Sequence, residues 1–561
     1  MTRRTLLHVG ALVLLCLAAS FVGPDTHGLT NWQESQRLVV AREMQDRGAW
    51  LVPTFRGQAY LAKPPMIYWA QIALAEARGS RVDLLDLRLV VALAGLAGVV
   101  LTYAVARRML DAGGAFIASG CLATGLLYAR STRVGELDIL LAPLTVAGVW
   151  GVLLAWRGVE EPLGRRAGPI ALATAATAAA GLTKGPPAVA LIGLATYGGM
   201  ALHAALASPI LARARRAAIV AGSVAAVATV AFTASRGVRL PDAPGVALLA
   251  ALAAAVAALV ALLARPVPLR TFWRVLSRTH PVLVLGGGFA AYFAWWFLAS
   301  RHVDPAVVEA IAREQVDNDL QLLVPAAPIR NLEALAFGCG LGSIGLFLAP
   351  LRRARSLAPR DACLVVAWVG LGLALLSLAG KGVPRYLTPL WPGVAILGGA
   401  ALARLAVGPW RRVLVAAIVV LAVAQGLWFG YGRERVWGAR SPRALVLELR
   451  ALGVDPARLA AFEFYTPALD FYAQSPVMPV QTAAVTGGIP PWSLAELRAN
   501  AARAPITVLL RAPGVDPDSA PAARALVEAG LVLEFLPTRA RFVIDNGRAE
   551  VRAARATAST P

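Results

Sequence analysis

The stretch Leu87-Arg-Leu-Val-Val-Ala-Leu-Ala-Gly-Leu-Ala-Gly-Val-Val-Leu-Thr-Tyr-Ala-Val-Ala106 decides the class of fold. It is twenty residues long, carries one charged side chain, and is followed directly by Arg107 and Arg108. About 20 apolar residues in a helix cross the hydrocarbon core of a bilayer, and basic residues collect in the loops on the cytoplasmic side. The stretch therefore predicts a transmembrane helix with its end at the cytoplasmic surface.

Runs of the same kind recur along most of the 561 residues, which are 58% hydrophobic and 15% charged. Soluble domains carry about 25% charged residues, so this composition excludes a soluble protein and predicts a polytopic α-helical membrane protein. The net charge of +22 comes from arginines at the ends of the apolar runs. That placement indicates membrane topology, and we predict no nucleic-acid partner.

We predict about thirteen transmembrane helices from these runs. They cover residues 5–23, 87–106, 113–127, 139–155, 170–182, 187–202, 217–234, 246–263, 281–299, 332–350, 362–378, 389–406 and 413–429. The excess of basic residues in alternate loops places the N-terminus inside, and an odd number of helices then places the C-terminus outside. The first run also fits a cleaved signal peptide, which would leave the topology elsewhere unchanged.

This topology is that of a multi-pass membrane protein, with a membrane domain over residues 1–430 and a domain on the outside face over 431–561. Within the first part, the loop 24–86 is predicted to lie outside and to contain two helices in the membrane plane, 34–46 and 66–78. Tyr68 and Trp69 suit the interfacial position of the second helix.

Residues 431–561 are less apolar and carry signals of a small α/β domain. Ser441-Pro442 resembles an N-cap followed by proline at the first helical position, and Ser493-Leu-Ala-Glu496 has the pattern of a capping box. Short β-rich runs follow, at residues 506–510, 531–535 and 541–544.

Lysine is rare in this chain, with three lysines against 51 arginines. Lys63, Lys184 and Lys381 all fall on the predicted outside face, each beside glycine or proline in a break between apolar runs. Such breaks let a cation and backbone N–H groups approach an anion, and an ammonium with a nearby arginine such as Arg385 suits a phosphate. We predict an anion site, with chance placement of the lysines as the alternative.

Carboxylates near the same face are candidates for function, because a charge at the mouth of a membrane helix is costly unless it is paired or faces a wet cavity. Glu34 follows the first predicted span, and Glu136 and Asp138 begin the fourth. The four cysteines and five histidines show no disulfide or metal-ligand spacing. We therefore predict no metal site, and a divalent cation stays open as a cofactor.

The first loop resembles one enzyme family, the polyprenyl-phosphate-dependent GT-C glycosyltransferases, which include lipid A aminoarabinose transferases and protein O-mannosyltransferases. The resemblance rests on ordered motifs in the loop and later breaks. They are Trp32-Gln-Glu34, Val40-Ala-Arg-Glu-Met44, Trp50-Leu-Val-Pro53, Gly57-Gln-Ala-Tyr60, Lys63-Pro-Pro-Met-Ile-Tyr-Trp69, Glu136-Leu-Asp138, Leu182-Thr-Lys-Gly-Pro186 and Lys381-Gly-Val-Pro-Arg-Tyr-Leu-Thr-Pro389.

The resemblance implies a GT-C fold and transfer of a sugar from a polyprenyl (undecaprenyl) phosphate to an acceptor hydroxyl or phosphate on a lipid A-like lipid, a glycan or a protein. Glu34 would be the general base, and Asp138 would orient the acceptor or hold a cation. The donor phosphate would be bound by Lys63, Lys184, Lys381, Arg385 and Tyr386. The lipid and acceptor cavity would be lined by Tyr60, Tyr68, Trp69 and Glu136.

One position departs from the family pattern, because Gln33-Glu34 stands where an Asp-Glu pair is usual. Either Glu34 has taken the role of the aspartate, or the chemistry is altered, or the protein is a degenerate, inactive member. A non-catalytic flippase or transporter for lipid-linked sugars is the other alternative. It would be expected to show internal repeats and charges deep within its spans.

Overall fold

The computed structural model describes most of the chain, with gaps that include one predicted site residue and two predicted spans. The described residues are 2–24, 26–206, 269–319, 326–349, 357–380, 382–481, 491–512, 521–544 and 549–559. Lys381 and the predicted spans 217–234 and 246–263 lie outside them.

The chain divides into two compact units. Unit 1 comprises Met1–Phe21, Ala62–Met66 and Val91–Gly426, and unit 2 comprises Val22–Leu61, Ile67–Val90 and Leu427–Pro561. Most of the first predicted loop therefore belongs to the same unit as the C-terminal residues.

Helices dominate the described chain. In order they are α1 (Arg3–Ser20), α2 (Trp32–Arg47), α3 (Met66–Ala77), α4 (Leu84–Met109), α5 (Ala112–Ala123), α6 (Leu126–Ser131), α7 (Asp138–Arg157), α8 (Leu163–Lys184), α9 (Pro186–Gly193), α10 (Gly199–Leu206), α11 (Leu269–Arg278), α12 (Pro281–Ser300), α13 (Pro305–Asp319), α14 (Ala326–Gly338), α15 (Leu341–Leu348), α16 (Pro359–Leu378), α17 (Trp391–Leu405), α18 (Pro409–Leu427), α19 (Arg433–Trp437), α20 (Arg443–Ala451), α21 (Pro467–Ala473), α22 (Leu494–Arg503) and α23 (Pro521–Glu528). A π-helical segment, Leu194–Gly198, joins α9 to α10, and a second, Trp428–Gly432, joins α18 to α19. The 3-10 helices are Pro384–Leu390, which leads into α17, Gly438–Arg440 and Pro456–Arg458.

Within the described residues, eight helices are long and apolar enough to cross a membrane. They are Arg3–Ser20, Leu84–Met109, Asp138–Arg157, Pro186–Ala205, Pro281–Ser300, Pro359–Leu378, Pro384–Leu405 and Pro409–Arg440. The pair α14–α15, bent by 107° at its break, makes a ninth if it counts as one span.

A helix occupies each of the eleven predicted spans that fall on described residues, but the count of thirteen is not reached. Two of these helices differ from the expectation. At residues 113–127 the helix is Ala112–Ala123, which has 12 residues and is shorter than a bilayer requires. At 170–182 it is α8, which is long enough but less apolar than the eight.

Small residues let helices of unit 1 pack backbone to backbone. A Cβ atom on Gly398 of α17 would collide with the backbone of Gly342 in α15, and one on Gly399 would collide with Ala118 in α5. Where lipid tails are as apolar as leucine, such close van der Waals packing is what holds helices together. The Gly398-Gly399 pair therefore fixes α17 against two neighbours.

Unit 2 contains a mixed β-sheet and a short hairpin. The hairpin pairs β1 (Thr54–Phe55) with β2 (Gln58–Ala59). The sheet has the order β4-β3-β5-β8-β6, with β7 also paired to β8. Its strands are β3 (Leu459–Phe462), β4 (Met478–Val480), β5 (Ile506–Ala512), β6 (Leu531–Phe535), β7 (Val543–Ile544) and β8 (Ala549–Ala558).

Helices cover both faces of this sheet, because the side chains of strand β3 alternate between two cores. Ala460 and Phe462 pack in the core that contains residues of α22 and α23. Leu459 and Ala461 pack in the core that contains residues of α20 and α21. Burial on both faces is the arrangement of parallel strands such as β3 with its two neighbours, and the predicted strands are present.

Local capping signals account for the helices of unit 2. The capping box of Ser493 and Glu496 is present at the start of α22. The prediction at Ser441 is wrong by one residue, since Pro442 is the N-cap and the Ser441 hydroxyl accepts a hydrogen bond from the N–H of Arg443 at 3.3 Å. The predicted loop helices 34–46 and 66–78 are observed as α2 and α3.

We expect Gly398→Ala to lower the free energy of unfolding by about 1–3 kcal/mol, because the new methyl group overpacks the contact with α15. Gly370→Ala is the matched control, since Gly370 lies in α16 and a Cβ there meets no atom within 4 Å. Both changes add the same helix propensity, so equal thermal stability in detergent for the two variants would contradict the packing argument.

Candidate active site

The site in unit 1 is built where two neighbouring helices end. Asp138 begins α7 and Lys184 ends α8, and the short link 158–162 makes these packed helices antiparallel neighbours. A carboxylate in the first turn and an ammonium in the last turn both suit the helix dipole. Gly185, with φ of 73°, then turns the chain into Pro186 at the start of α9, as the predicted Gly-Pro break requires.

The side chains of Asp138, Lys184, Arg385 and Tyr386 meet at this point. The Lys184 ammonium donates a hydrogen bond to Asp138 Oδ1, and Arg385 Nε lies 3.9 Å from Asp138 Oδ2. Lys184 Nζ also lies 3.8 Å from the centre of the Tyr386 ring, a cation–π contact. Arg385 and Tyr386 come from the 3-10 helix Pro384–Leu390, which packs against α7.

The charges of this cluster leave a net positive site. Two cations surround one carboxylate, and the Asp138 side chain is 2% exposed, whereas those of Lys184 and Arg385 are 20% and 19% exposed. Among the described residues, Arg385 Nε has no hydrogen-bond acceptor although the atom is buried. The cluster can therefore bind an anion through cations that remain accessible.

Glu34 lies in unit 2, in the first turn of α2, and is paired with an arginine. Its side chain is fully buried, and Oε1 accepts a hydrogen bond from Arg88 Nε at 3.1 Å. The same guanidinium donates to the carbonyls of Pro24 and His27, at 2.7 and 2.8 Å. The pair holds the beginning of α2 to α4 and keeps Glu34 beside a fixed positive charge.

Gln33, the residue that departs from the family pattern, is placed differently from Glu34. Its side chain is half-buried, and Oε1 accepts a hydrogen bond from Arg37 Nη2 at 3.2 Å. The position is therefore more accessible than Glu34, and an arginine stands beside it.

The other predicted site residues are distributed between the two units. Lys63 is half-buried and belongs to unit 1, as does Glu136, whose buried carboxylate lies 3.2 Å from Arg130 Nη2. In unit 2, Tyr68 is 1% exposed.

Two aromatic residues predicted to line the lipid and acceptor cavity make polar contacts within unit 2. The Tyr60 hydroxyl donates to Gln36 Oε1 at 3.4 Å, and Trp69 Nε1 donates to the carbonyl of Trp50 at 2.7 Å. In the described part of the chain, no group of three His, Cys, Asp or Glu side chains is arranged to hold a metal ion.

Sequence reasoning missed the arginine partners of the predicted acids, Arg88 and Arg130. Arg88 lies inside a predicted span, where a lone charge is costly unless it is paired. The cost of an unpaired arginine could have indicated that Arg88 has a carboxylate partner, and Glu34 is a carboxylate on the same predicted side of the membrane.

Comparisons with known proteins agree with the fold. Residues 62–211 match the family model described as dolichyl-phosphate-mannose-protein mannosyltransferase. The structure of ArnT from Cupriavidus metallidurans bound to undecaprenyl phosphate superposes with a TM-score of 0.69 at 18% identity, over 97% of both chains. Its apo state gives 0.67 at 17% identity, also over 97% of both chains. A search of curated proteins gives no match.

The resemblance to GT-C glycosyltransferases is thus confirmed in the fold and in one matched segment. Six of the predicted site residues lie inside that segment: Lys63, Tyr68, Trp69, Glu136, Asp138 and Lys184.

We expect Arg88→Met to lower the free energy of unfolding by about 3–5 kcal/mol, because it leaves the buried Glu34 carboxylate without its counter-charge. The matched control is Arg165→Met, which breaks a pair with Glu161 whose arginine is 75% exposed, and should cost about 0.5 kcal/mol or less. Unfolding in mixed micelles measures both, and equal losses would contradict a structural role for the Glu34–Arg88 pair.

Proposed function

We propose that this chain is an integral-membrane glycosyltransferase that moves a sugar from a polyprenyl phosphate donor to an acceptor. The proposal is carried by the cluster of Asp138, Lys184 and Arg385, a net positive, partly exposed site in a chain with the fold of ArnT. The similar ArnT structure was solved with undecaprenyl phosphate, the ligand class that such a site would bind.

The leaving group is a lipid phosphate, which needs positive charge beside it more than it needs a proton. When the sugar departs, negative charge grows on the lipid phosphate, and preorganised cations stabilise it. Lys184 and Arg385 supply that charge, and Asp138 holds both side chains in place through its two oxygens. Lys63 and Lys381 are proposed as further cations for the donor phosphate.

We assign the general base to Glu34, which would take the proton of the acceptor hydroxyl as it attacks the anomeric carbon. Arg88 orients that carboxylate through the hydrogen bond to Oε1. Because Glu34 is fully buried, this role requires that the acceptor displace part of the covering structure.

A second candidate is a degenerate member that binds the lipid phosphate without transferring a sugar. Two observations favour it, the amide of Gln33 where the family has aspartate and the burial of Glu34. A flippase or transporter of lipid-linked sugars would give the same result in a binding assay, so transfer itself has to be measured.

The acceptor and the membrane remain part of the proposal. The acceptor is a hydroxyl or phosphate of a lipid A-like lipid, a glycan or a protein. The proposed location is a bacterial inner membrane, as the family resemblance implies, and the basic residues of the predicted inside loops support an orientation with the active site and the C-terminal domain on the periplasmic face.

We expect Lys184→Ala and Arg385→Ala each to reduce sugar transfer by about 100-fold, since each removes a cation aimed at the leaving phosphate. The assay uses purified protein in nanodiscs, a pool of radiolabelled polyprenyl-phosphate sugars and bacterial envelope acceptors. Arg165→Ala, which removes an exposed arginine elsewhere in unit 1, should retain full transfer. Binding of polyprenyl phosphate by the wild type with no transfer to any acceptor would favour the second candidate.

We expect Gln33→Asp to retain or raise transfer, because it restores a carboxylate at an accessible position beside Arg37. Glu34→Gln should abolish transfer while the protein stays folded, because the amide keeps the shape and loses the basic group. Full activity in Glu34→Gln would remove Glu34 from the mechanism. Loss of folded protein in that variant would make its role structural.

A further inference from the structure

Unit 2 contains a cavity of about 360 Å³ that no step of the proposed transfer uses. It lies between α2, the β1–β2 hairpin and the residues that follow α21. The charged side chains that line it are Arg42, Glu43, Asp46, Arg47, Arg56, Arg81 and Asp470.

The three carboxylates of this cavity are all engaged within the protein. Glu43 accepts hydrogen bonds from the N–H groups of Arg56 and Gly57, at 2.7 and 3.1 Å, and from the Thr54 hydroxyl at 2.8 Å. Asp46 is paired with Arg81. The acidic side of the cavity is therefore largely satisfied.

Asp470, the third carboxylate, is held by three partners. It accepts from the Tyr465 hydroxyl at 2.6 Å and from the N–H of Val477 at 2.8 Å, and Arg56 Nε lies 3.4 Å from it. Burial raises the pKa of Asp470 to about 6, so at pH 7.5 the carboxylate is ionised and neutralises one arginine.

The arginines, by contrast, have donors left over. Arg42 donates to the carbonyls of Val82 and Phe471, and no carboxylate of the described residues pairs with it. Burial, with the neighbouring charge of Arg81, lowers the pKa of Arg42 to about 10, although Asp46 and Asp83 act in the opposite direction. Arg47 makes one hydrogen bond, to the Thr54 hydroxyl at 3.2 Å.

Arg56 adds a buried donor without an acceptor. Its side chain is 1% exposed, Nη2 donates to the carbonyl of Val477 at 2.9 Å, and Nη1 has no partner among the described residues. A buried N–H without an acceptor is costly, and an oxygen atom of a ligand would satisfy it.

The backbone at Arg56 adopts a left-handed conformation, which is unfavourable for an arginine. Arg56 and Gly57 have φ of 54° and 80° and connect the paired residues Phe55 and Gln58, which is the geometry of a type I′ turn. Such turns favour Asn-Gly, because a side chain like that of arginine is strained at positive φ. The strain places a guanidinium at the cavity wall.

We propose that this cavity binds an oxyanion, a phosphate monoester in particular, through the guanidinium groups of Arg42, Arg47 and Arg56. Guanidinium forks bind phosphate oxygens in bidentate pairs, and a cavity of this volume admits a phosphate with a small attached group. The site is separate from the cluster at Lys184, and its ligand is either a soluble phosphate monoester or the headgroup of a phosphorylated lipid.

The test is isothermal titration of the full chain with inorganic phosphate at pH 7.5, in nanodiscs of a neutral lipid. The Lys184→Ala background weakens phosphate binding by the candidate active site, and the cavity variants are compared within that background, so that failure of the proposed function does not affect this result. We expect Arg42→Gln and Arg47→Gln each to raise the Kd by about tenfold, the loss of one charge-assisted contact. Arg503→Gln is the matched control, an exposed arginine on α22 that does not line the cavity.

A second arm repeats the titration in nanodiscs that contain phosphatidic acid. If phosphatidic acid abolishes the binding of inorganic phosphate by the wild-type cavity, and the cavity variants bind both ligands more weakly, the site belongs to a lipid headgroup. Unchanged binding assigns it to a soluble ligand. If Arg42→Gln fails to fold, Arg47→Gln decides, because that side chain is exposed. Phosphate binding that neither cavity variant weakens, or no binding of phosphate in solution or on lipid, overturns the proposal.

Discussion

A carboxylate at the end of an apolar helix has to be neutralised, and in unit 1 the positions of α8 and of the 3-10 helix Pro384–Leu390 meet that requirement at Asp138. Lys184 meets it from the adjoining helix, and Arg385 approaches from a 3-10 segment far along the chain. Each of these three positions lies at a helix end or a break. Side chains at such points leave the helix axis, which lets charges from separate spans converge without a polar path through lipid.

Unit 2 uses the same chemistry in a different way. Among its described residues, two deeply buried pairs, Glu34 with Arg88 and Asp470 with Arg56, join a carboxylate to a guanidinium that also binds backbone carbonyls. Buried pairs contribute little net stability compared with apolar packing, but breaking one is costly. These pairs therefore select one arrangement of the loop helices, the hairpin and the sheet.

The sequence allowed the helices and the candidate cations to be predicted, but it did not identify which charges meet. Gly185 and the prolines after it located the break beside Lys184, and the capping box of Ser493 and Glu496 located α22, because these signals act within one turn. The pairing of Glu34 with Arg88 spans 54 residues and depends on how helices pack. The count of thirteen spans is not confirmed, because two of them lie outside the described residues, α5 is short and α8 is less apolar than the eight long helices.

The contacts at Asp138 also restrict how the chain crosses the membrane. Lys184 and Arg385 contact the same carboxylate and therefore lie on the same side of the membrane. The chain between them must cross the membrane an even number of times. Likewise, Asp138 begins α7 and Lys184 ends α8, so α8 must cross in the opposite direction to α7. Pro186–Ala205, Pro281–Ser300 and Pro359–Leu378 account for three crossings after Lys184. If residues 207–268 cross the membrane twice, as the sequence predicts, an even total requires the bent pair α14–α15 to cross as well. The 107° bend would then belong to a broken span and not to a re-entrant hairpin.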